Sequence, residues 1–198
     1  MLQISILKQD HERMVSNLNF SKDLKVGKIC EDIAKQYFES LGHEFVCFNE
    51  VPKNFKEWDI KMRKGNEEYD AESKGDCFIK PERFEYSSVF NKKVTIPKVE
   101  TGNIFIEKEC RGEGSGIEKT KAGIWINTFY NINEIWTIET DKLRQLISQN
   151  NFKIAKECGD VDSHTVGILI PRFEFIDWFT VVPFEKVIYE YQPQGVIG

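Results

Sequence analysis

An α/β (α+β) fold, with a mixed central β-sheet flanked by helices, is the architecture this sequence predicts. Three observations carry it. Val26, Ile29, Cys30, Ile33, Ala34, Tyr37, Phe38 and Leu41 fall at the three-and-four spacing of an amphipathic helix. Residues 58–76 alternate in character about Gly65-Asn66, a two-residue turn signal between strand-like runs. Further strand-like runs and a second helical stretch follow, so helices and strands interleave along the chain.

Taken in order, residues 1–22 read as an N-terminal arm, a short apolar run and then polar sequence, that adds an edge strand or a short helix. The first long helix begins near Asp23. Ser21 or Asp23 can cap its start, and Gly42 stands where a left-handed C-terminal residue belongs. Residues 43–49 (HEFVCFN) read as a strand and 51–54 as a turn. In the hairpin, a two-residue loop sets Lys64 against Glu67, Arg63 against Glu68, Met62 against Tyr69, Lys61 against Asp70 and Ile60 against Ala71. One face is then apolar and the other carries opposite-charge pairs. The next pair breaks the pattern. Asp59 falls opposite Glu72, two like charges with Cβ atoms roughly 5 Å apart, and Lys74 points the same way two residues on.

Residues 78–96 mix aromatic and polar side chains around Pro81 and read as irregular, with room for one short helix. Residues 101–109 (TGNIFIEKE) form a strand with Ile104 and Ile106 on one face and Phe105 and Glu107 on the other. Residues 111–116 form a flexible Gly-rich loop without the Lys-Ser/Thr ending of a phosphate-binding P-loop. A helical turn at 118–122, strands at 123–127 and 134–139, and a helix at 141–149 capped by Thr140 come next. Leu143, Leu146 and Ile147 face inward on that helix. The remainder, through GILIPRFEFIDWFTVV and KVIYEY, is β-rich. No repeat or linker divides the chain, so 1–198 reads as one domain: an arm (1–22), a core (23–127) and an extension (128–198).

At 198 residues the chain can bury one sizeable core. Mean hydropathy is −0.43, and no apolar run approaches the roughly 20 residues a membrane helix needs. The start lacks a basic region ahead of a long apolar stretch, so a cytoplasmic location (host cytoplasm for a viral protein) is expected rather than secretion. Net charge is −5, which disfavours a sequence-independent nucleic-acid coat but not an enzyme with a local basic groove. The five cysteines are odd in number and scattered, without a C-x-x-C pair, which fits free thiols in a reducing compartment. Residues 158–164 bring Cys, Asp and His into one polar loop, a composition too common to mark a metal site.

Asp59, Glu72 and Lys74 carry the chemistry. Two carboxylates beside a lysine can hold a divalent cation that activates water. They can equally be a solvated hairpin face with a small like-charge cost, and charge pattern alone leaves both readings open. Glu31 lies at the border of the helix's apolar stripe, one turn after Gly27 on the same side.

In order, Gly27-x-x-x-Glu31 on a first helix, Asp59 on a strand and Glu72-Ser73-Lys74 on the next resemble the PD-(D/E)xK nuclease superfamily, the restriction-endonuclease-like fold. Asp76, residues 102–107 (GNIFIE) and the Ser115-Gly116-Ile117 and Thr120-Lys121-Ala122 segments look like a small phage-type or bacterial branch. Trp58 departs from the pattern, standing where the name-giving proline would be. The resemblance covers roughly residues 26–125. It implies a catalytic core in which Asp59, Glu72 and the Ser73 carbonyl ligate Mg²⁺ or Mn²⁺. Lys74 would position or help deprotonate the attacking water, and Glu31 would bind a second metal directly or through water. Glu107 and Asp76 are additional acidic candidates. Lys92, Lys93, Ser115, Lys119 and Lys121 are candidate nucleic-acid contacts.

The expected function is metal-dependent hydrolysis of phosphodiester bonds in nucleic acid, with DNA the expected substrate, no membrane partner and room for a homodimer. Two alternatives stand beside it. One is a catalytically silent nucleic-acid- or protein-binding module that retains the nuclease fold. The other is a structural or replication accessory protein whose hairpin is a charged surface.

Overall fold

Strand β1 (Leu2–Leu7) and helix α1 (Lys8–Ser16) open the chain, so the N-terminal arm supplies both an edge strand and a helix. The computed structural model describes residues 1–16, 24–51, 57–76, 79–80, 83–87, 92–96, 99–100, 102–158 and 164–190, of which 16, 24, 79–100 and 157 are described for their backbone alone. The long helix is α2 (Leu24–Ser40), ended by Gly42 in the left-handed region at φ 80°. Then come β2 (Glu44–Phe48), β3 (Ile60–Lys64) and β4 (Glu67–Asp76). The β3–β4 register is the one the turn chemistry predicts, from Lys64 opposite Glu67 to Ile60 opposite Ala71. Gly65 has φ 62° and Asn66 is not in the left-handed region, the pattern of a type II′ turn with glycine first. Of the predicted charge pairs, Lys61 reaches Asp70 at 3.6 Å and Glu68 at 3.4 Å, whereas Arg63 turns to Glu44 on β2 at 3.2 Å.

Residues 78–96 are corrected by the structure: where described they are short strands, not an irregular stretch with a helix. They comprise β5 (Ile79–Lys80), β6 (Arg83–Ser87) and β7 (Lys92–Ile96), and β8 (Val99–Glu100) follows, with β6 paired to β7 and β5 to β8. Strand β9 (Asn103–Cys110) then pairs with β10 (Glu113–Gly114). The Gly-rich loop is therefore a tight hairpin: Arg111 and Gly112 both take positive φ, 55° and 77°, as a type I′ turn requires. The helical turn lies earlier than expected, as a 3₁₀ turn at Gly116–Glu118.

Strands β11 (Ile124–Phe129) and β12 (Glu134–Glu139), helix α3 (Thr140–Gln149), β13 (Lys153–Cys158), β14 (Thr165–Pro171), the single turn α4 (Arg172–Phe175) and β15 (Thr180–Tyr189) complete the order. Thr140 does not cap α3. Its N–H is pinned to the Gly123 carbonyl at 2.9 Å, which draws it into the first turn and leaves Glu139 in the N-cap position.

The architecture is a mixed seven-stranded sheet in the order β1-β15-β12-β11-β4-β3-β2, with β1–β15 and β11–β4 parallel and the other pairs antiparallel. A four-stranded sheet, β10-β9-β14-β13, accompanies it. The large sheet buries both faces. On one, Ile60, Met62, Ala71 and Ile126 pack under the α2 stripe of Val26, Cys30, Ile33, Ala34, Tyr37 and Phe38. On the other, Trp125, Phe129, Trp136 and Ile138 pack against Ile104, Ile106, Ile168 and Ile170 of the smaller sheet and Leu143 and Leu146 of α3. Alternation along β4 and β11 assigns residues to the two faces: Ala71 and Ile126 to the α2 side, Glu72 and Trp125 to the other. Among the described residues no helix is long and apolar enough to cross a membrane. Cys30, Cys47, Cys110 and Cys158 form no disulfide with one another, and Cys77 lies outside the described residues, as do 159–163 of the polar 158–164 loop.

Candidate functional site

The site lies where β3 and β4 part. Their ladder ends at Ile60–Ala71, and one more backbone bond, Asp59 N–H to the Ala71 carbonyl at 2.9 Å, closes it. Strand β4 runs on to Asp76 with β11 as its continuing neighbour. The Asp59 carboxylate takes over where the β3 backbone leaves, because Ser73 N–H donates to Asp59 Oδ2 at 2.8 Å. A buried N–H at a strand edge needs such an acceptor, and a short aspartate is the right reach. The predicted Asp59–Glu72 opposition is thus the first step beyond the ladder rather than a ladder pair.

Glu72 projects from the face that carries Trp125, its register partner on β11. Both Asp59 and Glu72 are 7 % exposed. Glu72 Oε1 lies 2.7 Å from Lys74 Nζ, and Oε2 faces the Thr120 hydroxyl at 3.0 Å. That hydroxyl also faces the Glu57 carbonyl at 3.0 Å and accepts from Ala122 N–H at 3.2 Å. Its single proton serves Glu72 or Glu57. Lys74 Nζ stands 5.8 Å from the centre of the Trp125 ring, within the range of a cation–π contact.

These neighbours set the ionisation. Burial raises the Glu72 pKa; the Lys74 ammonium pulls it back and the Asp59 carboxylate raises it again, for a net upward shift. Burial alone would lower the Lys74 pKa, but Glu72, then Asp59, then Glu107 outweigh it and raise it. Lys74 is therefore a fixed ammonium at neutral pH, set among three carboxylates.

The remaining candidates divide. Glu107, on β9, is close enough to act on Lys74, and its Oε1 accepts from the Ser115 hydroxyl. Gly116 makes that approach feasible: its φ is 50°, and a Cβ there would run into the Glu107 carbonyl oxygen. Asp76 acts on the backbone, with Oδ2 accepting from Phe105 N–H at 3.2 Å, and so ties β4 to β9. Lys121 is exposed and bound to Glu57 Oε1 at 2.6 Å, and its N–H holds the Glu57 carbonyl at 2.8 Å. Lys119 is exposed on the same segment. Both stand beside the site. Lys92 and Lys93 begin β7, with side chains outside the described residues.

Glu31 lies on α2, whose apolar stripe covers the face of the sheet opposite Glu72, and Lys28 Nζ holds its Oε2 at 3.0 Å.

Three contributors were not marked as site residues by the sequence reading: Thr120, Trp125 and Asn127. Asn127 is fully buried, stands opposite Lys74 on β11, and accepts Trp125 Nε1–H at 2.7 Å, while its Nδ2 has no hydrogen-bond partner. The available signal was a polar residue in the middle of the apolar run IWINTF.

Among the described residues no three His, Cys, Asp or Glu side chains form a group able to hold a metal ion. Mg²⁺ asks for less, binding through one or two carboxylates with waters and substrate oxygens. Asp59 and Glu72 have that donor chemistry. Burial is the largest cause of the raised Glu72 pKa, and the Asp59 carboxylate adds a like-charge contribution that a cation would relieve. Compared with protein-family models, curated proteins and solved structures, the chain matches none.

Proposed function

We propose that the chain is a Mg²⁺- or Mn²⁺-dependent phosphodiesterase of the restriction-endonuclease-like class that cleaves DNA at the Asp59, Glu72 and Lys74 cluster. The observation that carries this reading is the convergence itself. A buried carboxylate at the parting of two strands, a second buried carboxylate and an ammonium 2.7 Å from it are collected from residues 59, 72 and 74. Asp59 and Glu72, with the Ser73 carbonyl, would hold the metal, which supplies Lewis acidity and an activated water when bound. Lys74 stays charged, so its part is to offer a positive charge to the phosphorane oxygens as charge develops, not to remove a proton. Thr120 holds Glu72 in place and Asp59 is held by Ser73 N–H, so neither carboxylate has to be ordered at the moment of reaction. Glu107 adds a third negative charge facing Lys74.

The test is a cleavage assay with Mg²⁺ or Mn²⁺ on single-stranded, double-stranded and branched DNA. Wild-type protein cleaves at least one of them, and Asp59→Ala and Lys74→Ala abolish it. Robust cleavage by either variant sinks the mechanism. A second reading, a silent binding module that keeps the fold, draws on the closed Lys74–Glu72 pair. Calorimetry separates the two, because no heat of divalent binding at millimolar concentration favours the module.

A further inference from the structure

Among the described residues the seven-stranded and four-stranded sheets end on β1, β2, β10 and β13. An outer strand offers its outward N–H and C=O groups to any other strand that meets it, so folded chains blunt such edges with short length, bulges or charge. Strand β10 is two residues long. Strand β2 breaks register between Phe45 and Cys47. Strand β13 breaks register between Ala155 and Cys158 and carries the exposed Lys153 and Lys156. Strand β1 has none of these devices. Its six residues, LQISIL, contain no charge, no proline and no glycine, and they pair with β15 in unbroken register. That is the composition of a segment that pairs readily with its own copies.

Gln36 of α2 stands on this edge. Ser5 N–H donates to Gln36 Oε1 at 2.8 Å, and Gln36 Nε2 donates to the Ser5 carbonyl at 3.0 Å. One side chain thus exchanges both backbone bonds with Ser5, as an opposed residue does in an antiparallel pair. Nε2 also donates to Asp32 Oδ2 at 2.9 Å, one helical turn back. These bonds fix the amide's orientation, because turning it over sets donor against donor at Ser5 N–H. Packing fixes its place: Ile33 and Tyr37 of α2 share one core with Ile4 and Ile6 of β1. Alternation turns the backbone of Gln3, Ser5 and Leu7 outward, and Gln36 takes the central one.

We propose that Gln36 is a guard that keeps β1 from pairing with β1 of a second copy of this chain. The occupant follows from the edge itself. An uncharged strand does not repel its own copy, and antiparallel pairing about a two-fold axis uses the same outward groups on both chains. The guard is tethered beside Ser5, so a second chain has to displace it before the middle of the edge can pair. This inference is independent of the phosphodiesterase reading.

Sedimentation equilibrium of the full chain tests it. Gln36→Leu keeps the helix preference and removes the amide. Its weight-average mass rises with concentration to about twice the wild-type value, the mass of a closed two-fold pair. Gln36→Leu/Ser5→Pro, which deletes the outward N–H of an edge strand, returns to the wild-type mass. A Gln36→Leu mass equal to wild type's at every concentration overturns the proposal, as does a rise that survives Ser5→Pro. Hydrogen exchange by NMR on the wild-type chain keeps the test open if a variant does not fold. The Ser5 amide exchanges more slowly than the outward Gln3 amide, and a Ser5 amide as fast as Gln3's also overturns the proposal.

Discussion

Lys74→Met isolates the electrostatics of the site. The variant keeps most of the aliphatic stem and removes the ammonium that stands 2.7 Å from Glu72. At an effective dielectric of about 20, two charges at that separation attract by ~6 kcal/mol. Desolvation of both groups offsets part of this, while breaking a buried pair from one side costs about 3–5 kcal/mol because a buried charge is left behind. Lys74 keeps 29 % of its side chain exposed and Glu72 only 9 %, so water relieves some of the loss. A net destabilisation of about 2–4 kcal/mol follows, which for a chain of this size is a drop of roughly 5–15 °C in melting temperature. The sign with pH is set by Glu72. Its folded pKa is raised, so protonation favours the native state, and the associated stability is present in acid and lost as pH rises through the folded pKa. The deficit of Lys74→Met is therefore larger at neutral pH than in acid. Under the proposed metal reading, Mg²⁺ would supply the missing counter-charge: at a hundredfold excess over its Kd, binding would add about 2.7 kcal/mol, with the larger gain for the variant. Differential scanning calorimetry with and without Mg²⁺, between acid and neutral pH, measures all three effects. A melting temperature equal to wild type, or a variant that Mg²⁺ does not stabilise, refutes the reasoning.

Two further outcomes are expected away from the ion pair. Gly116→Ala forces a side chain into the left-handed region and against the Glu107 carbonyl; it loses about 1–3 kcal/mol from the backbone term alone, and unchanged urea stability contradicts the role given to that turn. Lys186 is held over the Tyr130 ring at 3.7 Å, with its ammonium on the Tyr130 carbonyl at 2.8 Å, and burial lowers its pKa to about 8. A depressed lysine pKa means the unfolded chain binds the extra proton, so stability rises as pH climbs from about 8 towards the ordinary lysine value. Lys186→Met flattens that rise in thermal melts, and a rise as steep as wild type's speaks against it.

Much of this protein was legible in short stretches of chain. The α2 stripe, the β3–β4 register and the inward face of β9 follow from periodicity and turn chemistry, which act over a few residues. So does the meeting of Asp59, Glu72 and Lys74, because one hairpin contains them all. The misreadings fall where a longer-range contact outcompetes a local preference. Thr140 looks like a cap until Gly123 claims its N–H. Residues 111–116 look loose until β9 pairs with β10.

The sequence by itself determined that two carboxylates and a lysine stand together at the end of a hairpin. Only the tertiary structure decided what surrounds them. Thr120 reaches Glu72 from 48 residues away, and Glu107 faces Lys74 from another sheet. The physical reason is that periodicity assigns a residue to a face of its own element, while the partner of that face is chosen by how sheets and helices bury their apolar sides against one another.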